Sequence, residues 1–218
     1  MNEYTRIMMI DTETANDIDC PLVYDVGYQI FSVAEGVLLQ RSFVNADIFL
    51  YDELMQNAYF AEKIPQYRKD IFAKRRDMRQ FRTIKRILTQ DCKNFGVEIA
   101  CAHNAAFDNR ALNTTQRYET SSKYRYFLPY GIEWWDTLKM ARAILRNNES
   151  YTSFCWENEY LTKNMRIRYT AEIIYRWLQN NPNFEESHTG LEDVEIERQI
   201  FEFLYHENPN FNGALWSK

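Results

Sequence analysis

Three acidic placements in this sequence could do chemistry together. Asp11 and Glu13 follow the apolar run Ile7–Ile10 with one residue between them. In an extended segment alternate side chains project to the same side, so both carboxylates can point together. Asp108 closes the run His103-Asn104-Ala105-Ala106-Phe107-Asp108, and Asp193 follows His188 by five residues. Carboxylates set side by side raise one another's pKa and are costly unless a cation neutralises them. Oxygen-only donors of this kind suit Mg²⁺ or Mn²⁺ rather than Zn²⁺. His188, with an unperturbed pKa of ~6.5, could move a proton near neutral pH. Each placement also has an ordinary explanation. An acidic residue often ends a strand, Asp108 in a first turn complements the helix dipole, and a lone histidine is commonly structural.

The surrounding pattern says which elements would carry these residues. Residues 5–10 read as a short buried strand running into Asp11. Residues 22–33 and 37–44 are β-branched and aromatic around a turn at Ala34-Glu35-Gly36, which predicts a hairpin. From about Leu50 to Asp91 the pattern is helical, with Pro65 suited to a helix start. Ile71, Met78, Phe81, Ile84 and Leu88 make an apolar stripe, and Arg68, Arg75, Arg79, Arg82 and Arg86 a basic one. A strand over 97–102 leads to a helix Ala105–Gln116, with Asn104 as a possible cap. A strand Ile132–Trp135 leads to a helix 138–146 capped by Asp136-Thr137. Everything after Ser150 reads as helical, broken at 180–183, with a last helix from near His188 to about Tyr205. This order predicts an α/β architecture: a mixed five-stranded sheet with helices on both faces, and a site at strand C-terminal ends.

At 218 residues, 45% of them hydrophobic, the chain suits one domain over 1–218, with a basic helical insertion at about 50–93. The net charge of −5 disfavours gripping a polyanion by bulk electrostatics. The charge is segregated, however. Lys63–Arg86 holds ten basic residues against Asp70 and Asp77, leaving the rest strongly acidic. The alternative for that arginine stripe is a solvated face. Basic and aromatic residues also interleave at Arg117-Tyr118 and Lys123–Phe127, as in single-strand binders or in an ordinary amphipathic loop. The four cysteines have neither zinc-ribbon nor disulfide-framework spacing. The first apolar run is too short for a signal peptide or a membrane span, so a cytoplasmic protein without membrane association is expected.

Taken in order, the Asp11-Thr12-Glu13 motif, His103–Asp108, Asp136-Thr137-Leu138 and the His188/Asp193 pair resemble the DEDDh branch of the DnaQ-like 3′→5′ exonucleases. The resemblance spans residues 6–205. It implies the RNase H-like fold and hydrolysis of nucleic acid from a free 3′ end, with single-stranded DNA favoured and RNA possible. It also implies two divalent cations, Mg²⁺ or Mn²⁺. Asp11 would bridge the ions, Glu13 and Asp193 would complete the first shell, Asp108 would support the second ion, and His188 would be the general base. Thr12, Thr14 and Asn104 would seat the terminal nucleotide, and Arg75, Arg79 and Arg82 of the basic segment would contact the strand. A homodimer is possible, since several members of the family are dimers. The chain departs from the family in lacking the usual Gly after the first motif, where Thr14-Ala15-Asn16 stands, and in its basic segment. Its compact size resembles the small stand-alone versions in bacteriophage genomes. Two rivals remain. A haloacid-dehalogenase-type phosphatase would need Asp where Glu13 stands. A non-catalytic nucleic-acid or protein binding module on the same fold would be expected to have lost one of the carboxylates.

Overall fold

The computed structural model describes residues 1–121, 123–186 and 189–216. Strands β1 (Ile7–Ala15), β2 (Leu22–Ser32) and β3 (Gly36–Asn45) form an antiparallel meander. Three helices follow, α1 (Ala46–Phe49), α2 (Asp52–Met55) and α3 (Ile64–Phe72), then strand β4 (Asp77–Arg79) and helix α4 (Phe81–Phe95). Strand β5 (Ile99–Ala102) leads to α5 (Ala105–Glu119), and β6 (Glu133–Asp136) to α6 (Thr137–Ile144). Helices α7 (Glu149–Glu157), α8 (Ala171–Leu178) and α9 (Gly190–Glu207) complete the described chain. The sheet has the order β4-β3-β2-β1-β5-β6, with β5, β6 and β4 parallel to their neighbours.

All eleven residues of β2 are buried, which follows from its central place and from apolar layers on both sides. One layer is α4 and α5, with Ile84, Leu88, Ala111 and Leu112 packed on Ile10, Val26 and Tyr28. The other is α6–α9, with Met140, Ile174, Ile200 and Phe201 packed on Ile7, Met9 and Phe31. A third cluster, around Tyr24, Phe49 and Tyr67, lies beneath the short helices after β3.

Four expectations need correction. The sheet has six strands, not five, because Asp77–Arg79 pairs with Phe43–Asn45 along the edge of β3. Three residues are too few to show a period of two, yet they satisfy backbone groups that a bare edge would expose. The same strand breaks the expected single helix over 65–91. Lys74 takes a left-handed φ of 58°, and the Asp70 carbonyl accepts the Arg75 and Arg76 N–H groups at 2.8 and 3.3 Å. Ile71 and Met78 therefore belong to different elements, and the arginines between 68 and 86 form no common stripe. The first strand runs to Ala15, so Asp11 and Glu13 sit within it and not beyond it. Residues 158–170, expected to be helical, form an irregular hairpin closed by a bridge between Leu161 and Ile167, with left-handed Glu159 and Met165. Asp136 does cap α6, its side chain accepting from the Leu138 N–H.

Helix α9 crosses β2 where two glycines meet. A Cβ on Gly27 would overlap the Gly190 carbonyl, and one on Gly190 would stand 2.8 Å from the Gly27 nitrogen. The Gly190 N–H also donates to Asp25 Oδ2 at 3.2 Å. Gly27→Ala must displace the start of α9. It is expected to destabilise the protein by about 3 kcal/mol, read as a shift in the urea midpoint with unchanged slope.

Candidate active site

Glu13 and Asp25 are cross-strand partners, and a register shift follows Glu13. Within β1, Asp11 and Glu13 project to one side, as their alternation requires. Asp193, in the first turn of α9, meets them there. Ligand oxygens of Asp11, Glu13 and Asp193 all lie within 4.8 Å of one another. Asp108, in the first turn of α5, joins the same cleft and is fixed by the Thr12 hydroxyl, which donates to its Oδ1 at 2.8 Å. The cleft encloses about 520 Å³, and Glu186 and Glu197 line it as well. Tyr59, Phe60 and Phe107 give it apolar walls.

Six carboxyl groups thus share one cavity, and no lysine or arginine lines it among the described residues. Burial raises the Asp11 pKa well above the ordinary carboxylate range, and Glu197, Asp108, Glu13 and Asp193 push it further. Glu13 is pushed up to about 9 by burial and then by Asp193 and Asp25. Burial lifts Asp108 to about 7 against the Thr12 hydrogen bond, and Glu186 to about 8 with help from Asp193. Glu197 is raised well above its usual value by burial and by Asp108. Asp11 Oδ2 is shut from solvent with no hydrogen-bond partner among the described residues. A buried lone pair in an oxygen-only cluster of this charge fits a hard divalent cation, with Asp11, Glu13 and Asp193 as its donors and Asp108 beside them.

Of the residues picked out by the sequence, Asp11, Thr12, Glu13, Thr14, Asn104, Asp108 and Asp193 all line this cleft. His188 lies outside the described residues. Arg75, Arg79 and Arg82 are elsewhere. Arg75 pairs with Asp70 at 2.6 Å, Arg79 with Asp77 at 3.0 Å, and Arg82 faces a cavity between α4 and the end of α5. Asn104 does not cap α5 with its side chain as expected. It adopts a left-handed φ of 70°, and its N–H donates to Asp136 Oδ1 at 3.0 Å. His103 is structural. Its Nε2 donates to the Tyr169 carbonyl at 2.7 Å, Nδ1 sits 2.9 Å from Thr137 Oγ1, and burial lowers its pKa to about 4, so it stays neutral.

Two acidic residues in the cleft escaped the sequence reading. Glu197 follows Asp193 by one helical turn, and that spacing alone could have placed it on the same face. It accepts the His103 N–H at 3.1 Å, which ties α9 to the end of β5. Glu186 comes from the segment before α9, where no periodicity marks it.

No family model and no curated protein matches this sequence. Solved structures do match, and they define the class of fold: an RNase H-like α/β sheet as found in solved 3′-exonucleases. The chain is similar to a 3′-exonuclease solved in 3′-end-specific recognition of the histone mRNA stem-loop. That match has a TM-score of 0.59 and 11% identity, over 95% of this chain and 67% of that one. It is also similar to E. coli exonuclease I bound to a dA16 oligonucleotide, with a TM-score of 0.53 and 12% identity over 94% of this chain. Cell-death related nuclease 4 matches with a TM-score of 0.52 and 10% identity over 94% of this chain. The chain spans 41% of that exonuclease I structure and 65% of the nuclease 4 structure.

Glu13 titrates at ~4.3 in an unfolded chain and at about 9 in the fold. Between those values the folded state holds the extra proton, so its stability is fully present below the lower value and is lost as pH rises through the window. In EDTA the melting temperature is therefore expected to fall between pH 5 and 9, and Mn²⁺ should restore it by binding the folded state. Asp11→Asn should melt higher than the native protein in EDTA at pH 8 and gain little from Mn²⁺. Thermal melts across that pH range check both outcomes.

Proposed function

We propose that this chain is a divalent-cation-dependent 3′→5′ exonuclease acting on nucleic acid with a free 3′ end, single-stranded DNA before RNA. The observation that carries this reading is the meeting of Asp11, Glu13 and Asp193 within 4.8 Å, with Asp108 in the same acidic cleft, on an exonuclease fold. Asp11, Glu13 and Asp193 would hold one Mg²⁺ or Mn²⁺, and Asp11 with Asp108 a second. When bound, such a pair supplies a nucleophile at neutral pH and offsets charge on the leaving 3′-oxygen.

The protein's own groups do the rest. Tyr59, Phe60 and Phe107 offer apolar faces for the terminal nucleotide and shut water from it. Thr14 and Asn104 border the same space and can bond the sugar or the phosphate. The Thr12 hydroxyl and the helix backbone keep Asp108 in place as substrate enters. Glu197, fixed by the His103 N–H, holds the end of β5 against α9, so the walls of the cleft keep their spacing. His188, five residues before Asp193 in sequence, is assigned as the base that takes the proton from the attacking water. A phosphoenzyme route through Asp11 is disfavoured, because Glu13 occupies the place of the acid such chemistry needs. All four cation-binding carboxylates are retained, unlike a module that only binds.

Shortening of a 5′-labelled oligonucleotide with Mg²⁺, Mn²⁺ or EDTA tests the assignment. Asp11→Ala and Asp193→Ala are expected to abolish the cation-dependent ladder while still folding. His188→Ala should slow it by roughly 10²- to 10⁴-fold and leave Mn²⁺ stabilisation intact. Full activity in Asp11→Ala would overturn the proposal.

A further inference from the structure

A second cavity adjoins the acidic cleft, and the two share His103 and Asn104 in their walls. It encloses about 1120 Å³ between α6 and the hairpin of residues 158–170. Its chemistry is the reverse of its neighbour's. Arg142 and Arg146 enter from α6 and the turn after it, and Arg166 and Arg168 from the hairpin, while no carboxylate lines it among the described residues. None of these four arginines forms an ion pair among the described residues, in contrast to Arg68, Arg75, Arg76 and Arg79 of the basic segment. Trp156 is 50% exposed on its wall and Met165 62% exposed. Tyr169 adds a second aromatic ring, and the Arg146 and Arg142 charges both bear on its hydroxyl.

We infer that this arginine-lined cavity binds the single strand just upstream of the 3′ end, a step that rests on the exonuclease reading. A strand whose terminal phosphodiester lies among the carboxylates must carry its remaining phosphates out of an acidic cleft. The arginine cavity borders the cleft at His103 and Asn104 and supplies the opposite charge there. Guanidinium forks match phosphate oxygens in pairs of hydrogen bonds. The indole of Trp156 and the ring of Tyr169 suit stacking by unpaired bases, which a duplex would not present. Arg166, Ile167 and Arg168 of the hairpin all line this cavity. Among the described residues, this surface and not the segment Lys63–Arg86 lines a cavity beside the cleft with arginines that lack carboxylate partners.

The test compares a decanucleotide, as DNA and as RNA, with the p-nitrophenyl ester of thymidine 5′-monophosphate, which has no upstream phosphate or base to place in the cavity. In the full chain, Arg146→Ala combined with Arg166→Ala should raise KM for the decanucleotide by roughly tenfold or more and lessen its dependence on salt, since each lost phosphate contact removes about 0.7 from the log–log slope. Turnover of the small ester should not change. Trp156→Ala should raise the decanucleotide KM by roughly tenfold while leaving most of the salt dependence. An unchanged decanucleotide KM in the arginine variant, with normal ester turnover, overturns the inference. If the native protein hydrolyses neither substrate, the exonuclease reading fails instead. Anisotropy of a labelled decanucleotide in EDTA then still decides the cavity: binding weakened by the arginine replacements supports it, and unaltered binding overturns it.

Discussion

The site depends on how closely α9 can approach the sheet. Asp193 reaches Asp11 and Glu13 because Gly190 and Gly27 bring backbone against backbone at the helix start. A methyl group on either would push the helix outward and part the carboxylates. The contact is secured from below by Asp25, buried in β2. Its carboxylate accepts from the Gly190 N–H at 3.2 Å, the Tyr67 hydroxyl at 2.5 Å and Arg76 at 3.2 Å. A lone buried carboxylate would be severely unfavourable, but one with a guanidinium and two neutral donors is tolerated. The seat of α9 is therefore held by residues of β2 and α3 and of the turn before β4.

The cleft above that seat is in electrostatic tension. The fold spends hydrophobic burial on both faces of the sheet to hold together carboxyl groups that would separate if free to do so. Strain of this kind, concentrated where a ligand is to be held, is a usual sign of a functional site. The neighbouring arginine cavity carries the complementary charge, so the two signs lie side by side and are not mixed. Mixing them would neutralise both in internal ion pairs, as has happened around Asp70, which takes Arg75 at 2.6 Å and Arg76 at 3.6 Å.

Much of the site was legible in the sequence because its residues sit where local pattern is strong. Asp11 and Glu13 follow an apolar run, and Asp108 and Asp193 occupy first turns of amphipathic helices. The order of the five strands other than β4, and of the helices that carry Asp108 and Asp193, followed from period and turn residues. What could not be read depends on partners distant in sequence. Arg76 was only one of ten basic residues in Lys63–Arg86, yet its partner Asp25 lies 51 residues earlier. Strand β4 exists because β3 has an edge to cover, which no three-residue pattern announces. Arg142, Arg146, Arg166 and Arg168 come together only when an irregular hairpin folds back on α6. His103 opens the run that ends in Asp108, and the Tyr169 carbonyl that occupies its Nε2 lies 66 residues away.

Arg76 gives the segment between α3 and α4 a standing that its surface position conceals. It looks like an appendage to a sheet that would close without it, and in sequence it could be mistaken for a module acquired late and separable at will. Yet it delivers the guanidinium of Arg76 that pairs with the Asp25 carboxylate beneath the cleft, so excising it would leave that buried carboxyl without its cation at the foot of α9. A minimal version of this fold would have to replace Asp25 at the same time. The segment and the strand beneath it are bound by that one ion pair into a single structural unit.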